Sequence, residues 1–430
     1  MMKKFIININ FILLTSFLSI AHAEPKSIEV LHWWTSGGEA QAIDVLKKEM
    51  ESQGFQWKNG GSIMGGGGEQ QRLVIKARIN AHTPPDAMLI QGNIIKNYTD
   101  NNLLSNLDAL AAKENWAKII PEPLQKIVKI NRHWMAVPIN IHRSHWIWAN
   151  KKIFDKLHIT PPKSFSELIQ ISEKIKKAGY IPLAHGGQSW QDAILFDSAV
   201  LSVGGIHFYK KALVDLDKTA LNSETMKKVF EQLKQLRSMI DKNFMDREWN
   251  LATAMVIHEK AAMQIMGDWV KGEFIKAGKK PNQDFLCFEY PGTQGNFLFI
   301  SDTFGMLNAP KNQINSQHTL ATTMMNKTFQ EKFNQAKGSI PSRLDINPEN
   351  LDDCAKKSYS DFKQALKNNT ALQRFDTNIP SEERTIIFNV VSHFFQKNNQ
   401  SPEEAVKALN YCLDNHTRKQ GFISLSYEGC

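Results

Sequence analysis

The chain has 430 residues, a formal charge of +9 and 42% hydrophobic residues, so it is long enough for two domains at ~100–200 residues each and apolar enough to bury cores. Its Lys and Arg are spread among acids, and the densest group, Lys174, Lys176 and Lys177, reads as the solvated face of a helix. That distribution argues against nucleic acid as a partner.

The first residues carry an export signature. Lys3 and Lys4 precede an apolar run from Phe5 to Ile20, and Ala21-His22-Ala23 forms a small-x-small cleavage site ahead of Glu24-Pro25. This layout predicts a secretory signal peptide over residues 1–23. The run is interrupted by Asn8, Asn10, Thr15, Ser16 and Ser19, and it is shorter than the ~20 apolar residues of a membrane span. No cysteine stands at the cleavage site to carry a lipid. Without Lys3 and Lys4 the formal charge falls to +7. The mature chain is expected to be soluble and exported, in the periplasm.

SIEVL predicts a strand, HWWTSGGE a loop, and AQAIDVLKKEMESQG a helix, with Ala42, Val45, Leu46 and Met50 at helical spacing and Gly54 at its end. A second unit follows: GSIMGGGG, the helix EQQRLVIKARINAH, the turn TPPDA and the strand AMLIQG. Strands alternating with helices predict an α/β fold with a mainly parallel sheet. Ligands of such sheets sit beyond the strand carboxyl ends, which gathers Trp33, Trp34, Glu39, Gly65–Gly68 and Gln91 around one crevice. Further on, SFSELIQISEKIKKAG predicts a helix capped by Ser164, with Glu167 three residues later. NSETMKKVFEQLKQLRSMID reads as an amphipathic helix, AAMQIMGD as a short buried strand and WVKGEFIKAG as a helix. FLFISDTFGML reads as one apolar strand, and FQEKFNQA and EEAVKAL as helices.

Four cysteines, Cys287, Cys354, Cys412 and Cys430, suggest disulfides in an exported chain. Of the three possible connectivities, Cys287–Cys354 with Cys412–Cys430 is favoured, the second pinning the C-terminus onto the preceding helix. No CxxC or CxxH spacing supports a metal site.

The ten tryptophans are the strongest chemical signal. Many sit beside Gly and polar residues, in HWWTSGGE, HRSHWIWAN, HGGQSWQD, DREWN and MGDW. A flat indole next to hydrogen-bonding groups suits a sugar, whose C–H face stacks while its hydroxyls need partners once desolvated. The Gly65–Gly68 run lacks the Gly-Lys-Ser/Thr of a phosphate loop and reads instead as a close approach of backbone to a ligand or to an opposite lobe. No GxSxG or HExxH pattern is present. Glu39 and Asp302 form a conceivable glycosidase pair, but carboxylates also bind sugar hydroxyls without chemistry.

The segments LHWWTSGGEAQAIDVLKKEMESQG, GGGGEQQ, PPDAMLIQG, VPINIHRSHWIWAN, LAHGGQSWQD, DREWNLATAMVIHEKAAMQIMGDWVKGEF, SDTFGM and FQEKFNQAKGSIPSR run in order down the chain. Together they resemble the glucose/mannose-binding periplasmic proteins of bacterial ABC importers, a branch of the extracellular solute-binding class that includes maltose-binding protein. The resemblance extends to about residue 365. It implies two α/β lobes joined by crossover strands, with the ligand cleft between them: an N-lobe over 24–138 and 290–340, and a C-lobe over 139–289 and 341–430. It also implies a carbohydrate-binding set. Trp33 and Trp34 would stack on or flank the ring, Glu39 would accept from hydroxyls, and Gln91 would bond from the N-lobe. Trp249 and Trp269 would close the C-lobe side, and Asp302 and Lys337 would bind hydroxyls near the hinge. Lys337, a donor only, should face a sugar oxygen or a carboxylate. One departure stands out: relatives carry a sugar-contacting His where this chain reads RFDTNIPSEERT. The implied protein is a monomer without cofactor and without catalysis, whose partners are a monosaccharide such as glucose and the membrane permease. Another sugar or amino sugar, an exported glycosidase and a sugar-presenting sensor subunit are the alternative readings.

Overall fold

Buried backbone groups must be hydrogen-bonded, and the chain meets that demand with a separate sheet in each of two lobes. The computed structural model describes residues 26–62, 68–308 and 311–418. The expected signal peptide, Gly65–Gly67 and the expected Cys412–Cys430 bridge, through Cys430, lie outside the described residues. Among the described residues no helix is long and apolar enough to cross a membrane.

The first-lobe sheet runs in the order Gln56–Ser62, Ser27–His32, Ala87–Ile90, Thr303–Met306, Val137–Pro138. Ser27–His32 is parallel to both neighbours, with the helices Gly37–Ser52 and Glu69–Asn80 as crossovers, as the βα alternation predicts. Thr303–Met306 adds antiparallel to Ala87–Ile90. Gln56–Ser62 was not legible as a strand because it is an edge strand: of Gln56 to Gly60 only Gly60 is buried, so no apolar alternation marks it.

The second-lobe sheet has the order Phe285–Glu289, Trp146–Asn150, Ala261–Met266, Ile181–Ala184. Its pairs are antiparallel except the last. All five residues of Trp146–Asn150 are buried, and Trp146 and Trp148 pack in the core of this lobe. The tryptophans of HRSHWIWAN are therefore core residues rather than sugar-facing ones; the strand is covered on both faces, so polar neighbours in the sequence did not mean a polar surrounding. The helix Phe165–Lys177 starts at Ser164, whose hydroxyl accepts from the Glu167 amide, while the Glu167 carboxylate accepts from the Lys163 amide at 2.7 Å.

The lobes are joined where single strands serve both cores. FLFISDTFGML is two strands in different sheets, Phe297–Ile300 and Thr303–Met306, not one. Phe297 and Phe299 lie in the first-lobe core, Leu298 and Ile300 in the second. With a period of two residues, each face of this strand supplies one lobe. Between the two strands the Asp302 amide donates to the Asn140 side-chain oxygen at 2.8 Å, tying this crossing to the one near 140. The first-lobe core also takes in Ile346, Leu351, Tyr359, Phe362 and Ala365, while the second-lobe core takes Cys354 and then Phe375 and residues after it. Apart from Cys354, core membership passes from the first lobe to the second between Ala365 and Phe375. Cys287 and Cys354 are joined in a disulfide, the favoured pairing, which links the second-lobe sheet to the head of the helix Asp353–Asn368.

Candidate functional site

Between the lobes lies a cavity of about 380 Å3. Trp33, Trp34, Glu39, Gln91, Trp249, Trp269, Asp302 and Lys337, the eight residues expected at the site, all line it. Four of them follow strand ends, where ligands of such sheets sit, while Glu39, Trp249 and Lys337 belong to helices. Trp33 and Trp34 follow Ser27–His32, Gln91 follows Ala87–Ile90, and Trp269 lies just past Ala261–Met266.

The floor is a chain of paired charges. Asp302 is 2% exposed. Its Oδ1 accepts from Gln91 at 2.6 Å, and its Oδ2 accepts from Asn140 at 2.8 Å and meets His142 Nε2 at 3.0 Å. His142 Nδ1 bonds the Asp268 carboxylate, whose other oxygen accepts from the Arg143 amide at 3.0 Å. One imidazole thus joins a second-lobe carboxylate to one at the crossing. Burial alone would push the Asp302 carboxyl up, but the His142 contact, the Lys337 charge and the Asn140 amide outweigh it and hold Asp302 well below the ordinary carboxylate range. Burial would likewise push His142 down; the Asp268 charge and the two carboxylate bonds reverse this and raise it. Glu39, in the first turn of Gly37–Ser52, accepts from Lys337 Nζ at 3.1 Å and from the Ser36 hydroxyl at 3.3 Å. For Glu39 burial prevails over the Lys337 charge, and its carboxyl is raised. Lys337 has the carboxylate partner its chemistry called for, and its ammonium also lies 5.3 Å from the centre of the Trp34 ring.

The walls are aromatic. Trp34 is 2% exposed and packs against Phe304 and Phe333, so little of its ring is open to the cavity. Trp33 is half-buried and covers Gly68, where a Cβ would come within 2.9 Å of the indole. Gly68 also has φ of 72°, so a side chain there would be both clashing and strained. From the second lobe come Trp249, Trp269 and Trp190. Trp269 sits edge-on to His142 at 5.3 Å and 6.3 Å from Trp190. The segment RFDTNIPSEERT contributes Arg374, Asp376, Thr377 and Arg384 to one end of the cavity. Arg374 is buried and bonds Asp197 at 2.6 Å.

Sequence reasoning missed His142, Asn140, Asp268 and Trp190. Trp190 was inside a marked cluster, HGGQSWQD, but without an assigned role. His142 and Asn140 lie in the crossing segment INIH, where no spacing rule identifies a polar residue destined for the space between two lobes. Among the described residues no group of three or more His, Cys, Asp or Glu is placed to hold a metal ion.

Residues 57–313 match the family model described as bacterial extracellular solute-binding protein. The chain is 45% identical over 401 residues to a protein of Brucella melitensis biotype 1 named "Probable sugar-binding periplasmic protein", covering 92% of this chain and 94% of the relative. A protein of the same name from Rhizobium meliloti is 44% identical over 387 residues, 89% of this chain and 92% of that one. Among solved structures, the bacterial solute receptor AcbH, described as having an exclusive preference for b-D-galactopyranose, superposes with a TM-score of 0.77 at 15% identity, over 92% of this chain and 99% of that one. That last likeness is one of fold.

Proposed function

Since the chain belongs to the bacterial extracellular solute-binding proteins, we propose that it is the periplasmic sugar-binding component of an ABC importer, taking glucose or a closely related monosaccharide and handing it to a membrane permease. The observation that carries this reading is one cavity in which Trp33, Trp190, Trp249 and Trp269 stand over a floor of paired carboxylates, Glu39 and Asp302. Indole faces suit the C–H side of a pyranose, and carboxylates accept charge-assisted hydrogen bonds from its hydroxyls. The floor charges are already compensated by Lys337 and His142, which favours a neutral polyol over an ion. The names of the Brucella and Rhizobium relatives supply the ligand class and the compartment.

The reading is binding rather than catalysis because the relatives are named as sugar-binding proteins and both carboxylates are already engaged, Glu39 by Lys337 and Asp302 by Gln91 and Asn140, which supports acceptance from sugar hydroxyls. In this reading the sugar bridges both lobes and favours the closed form by its greater affinity for that form. A second reading, a larger sugar or an amino sugar, is favoured by the end of the cavity where Arg374, Asp376 and Arg384 stand in place of the family's histidine.

Tryptophan fluorescence of unfolded and refolded, sugar-free protein, titrated with hexoses, amino sugars and short oligosaccharides, tests both. Saturable change with glucose or mannose supports the first reading; change only with an amino sugar or an oligosaccharide supports the second. Silence towards every sugar rejects both.

A further inference from the structure

Two helices from different lobes meet beside the cavity, and of their residues Glu39 lines it. The helix Gly37–Ser52 belongs to the first lobe through Ala42, Ile43 and Leu46, and the helix Val270–Lys276 to the second through Val270 and Phe274. Each begins at a ligand wall: the first follows the loop of Trp33 and Trp34, and Trp269 caps the second. The separation of these two helix heads therefore sets the gap between the aromatic walls.

At the contact both helices carry glycine. A Cβ on Gly38 would lie 2.5 Å from the carbonyl carbon of Gly272, and one on Gly272 would lie 2.8 Å from the carbonyl oxygen of Ala336. The obstacles are backbone, which cannot rotate away. Neither glycine has a left-handed φ, so the turn geometry of each helix does not call for glycine, and alanine is the better helix former at both. What these positions require is proximity across the lobes. A charge completes the contact: the Gly38 amide donates to Glu273 Oε1 at 2.7 Å, which sets a second-lobe carboxylate on the positive end of a first-lobe helix of 16 residues.

We propose that this contact is the seat on which the two lobes close, and that Gly38, Gly272 and Glu273 are positioning residues that govern how long the ligand is held. The proposal rests on the sugar-binding reading above for its ligand but not for its geometry. A methyl group at Gly38 wedges the heads of the two helices apart, so the walls no longer meet the ligand together. Loss of the Glu273 charge leaves the shape of the seat but weakens its hold.

The test uses the mature chain with spin labels at Lys76→Cys and Lys228→Cys, exposed positions in the two lobes, and adds Gly38→Ala or Glu273→Gln. Label separations are read first without sugar, then dissociation of the hexose identified by fluorescence is timed. We expect the wild-type protein to show a short-distance population without sugar, Gly38→Ala to lose it, and its ligand to leave at least ~10-fold faster. Glu273→Gln should speed dissociation about 3- to 10-fold. Both variants should melt, ligand-free, close to the wild-type temperature, because the seat joins the lobes and does not form either core. Unchanged distances and dissociation in both variants would overturn the proposal. So would a large fall in the ligand-free melting temperature with distances unaltered, since the contact would then be a permanent part of the fold. If the wild-type protein bound no sugar, the function reading would fail, while the distance measurement would still decide whether the seat exists.

Discussion

The floor of the cleft and its walls are built on opposite principles. On the floor every charge is matched in advance: Asp302 by Gln91, Asn140 and His142, His142 by Asp268, Glu39 by Lys337. Removing any member leaves others buried and unsatisfied, so the floor is part of the fold as much as part of the site. The walls are indoles: Trp34, Trp249 and Trp269 are also core residues of their lobes, whereas half-buried Trp33 and Trp190 pack against the cores and offer apolar area to the cavity. The same cleft thus separates orientation, which needs rigid paired dipoles, from stacking area, which needs only a flat face.

The largest effect should come from the floor. Asp302→Ala strips three donors of their shared acceptor, and we expect a loss of about 3–5 kcal/mol in unfolding free energy by denaturant titration, with ligand binding abolished. If Asp302→Ala melted like the wild-type protein, the floor would not be the structural unit described. The wall variant Trp190→Ala should separate the two roles: roughly tenfold weaker sugar binding, equivalent to about 1.4 kcal/mol, with unfolding free energy little changed. Equal losses in both quantities would erase the distinction between floor and walls.

Acidity offers a third probe. Asp302 is depressed in the folded state, so its stabilisation is present above its unfolded value of ~3.9 and is lost as pH falls further, towards its folded value. His142 is raised, so its stabilisation is complete below its unfolded value of ~6.5 and is lost as pH rises through the folded value. Melting temperature against pH should therefore show a shoulder between these limits. His142→Gln should flatten its alkaline side, and Trp190→Ala should leave the shape unaltered. The smallest effect is a control remote from the cleft. Ser164→Ala removes the cap that receives the Glu167 amide and should cost about 1 kcal/mol with no change in sugar affinity.

What the sequence made legible depended on whether local pattern and tertiary surroundings agreed. Ser27–His32, Gly37–Ser52 and Ala87–Ile90 carry apolar residues at the spacing their burial demands, and the α/β reading followed from them. Phe297–Ile300 misled because both of its faces are buried, one in each lobe. An uninterrupted apolar run does not reveal that its alternate residues belong to different cores, nor that Ser301 and Asp302 divide two sheets. Trp146 and Trp148 misled in the other direction: polar neighbours along the chain suggested a ligand face, while the neighbours across the sheet made them core. Trp33, Glu39 and Gln91 could be found because they follow predicted strands. His142 and Asp268 acquire meaning only once two crossings and two lobes are brought together, and that relation is not local in sequence.

The central claim is that this cleft holds a neutral monosaccharide between paired charges and indoles and returns it unchanged. The most direct test is carbon NMR of 13C-labelled glucose incubated for a day with refolded, sugar-free protein. The account predicts a saturable set of bound resonances and, after denaturation of the protein, recovery of the same sugar in full. Absence of any bound signal at millimolar sugar, or the appearance of a new product, would contradict it.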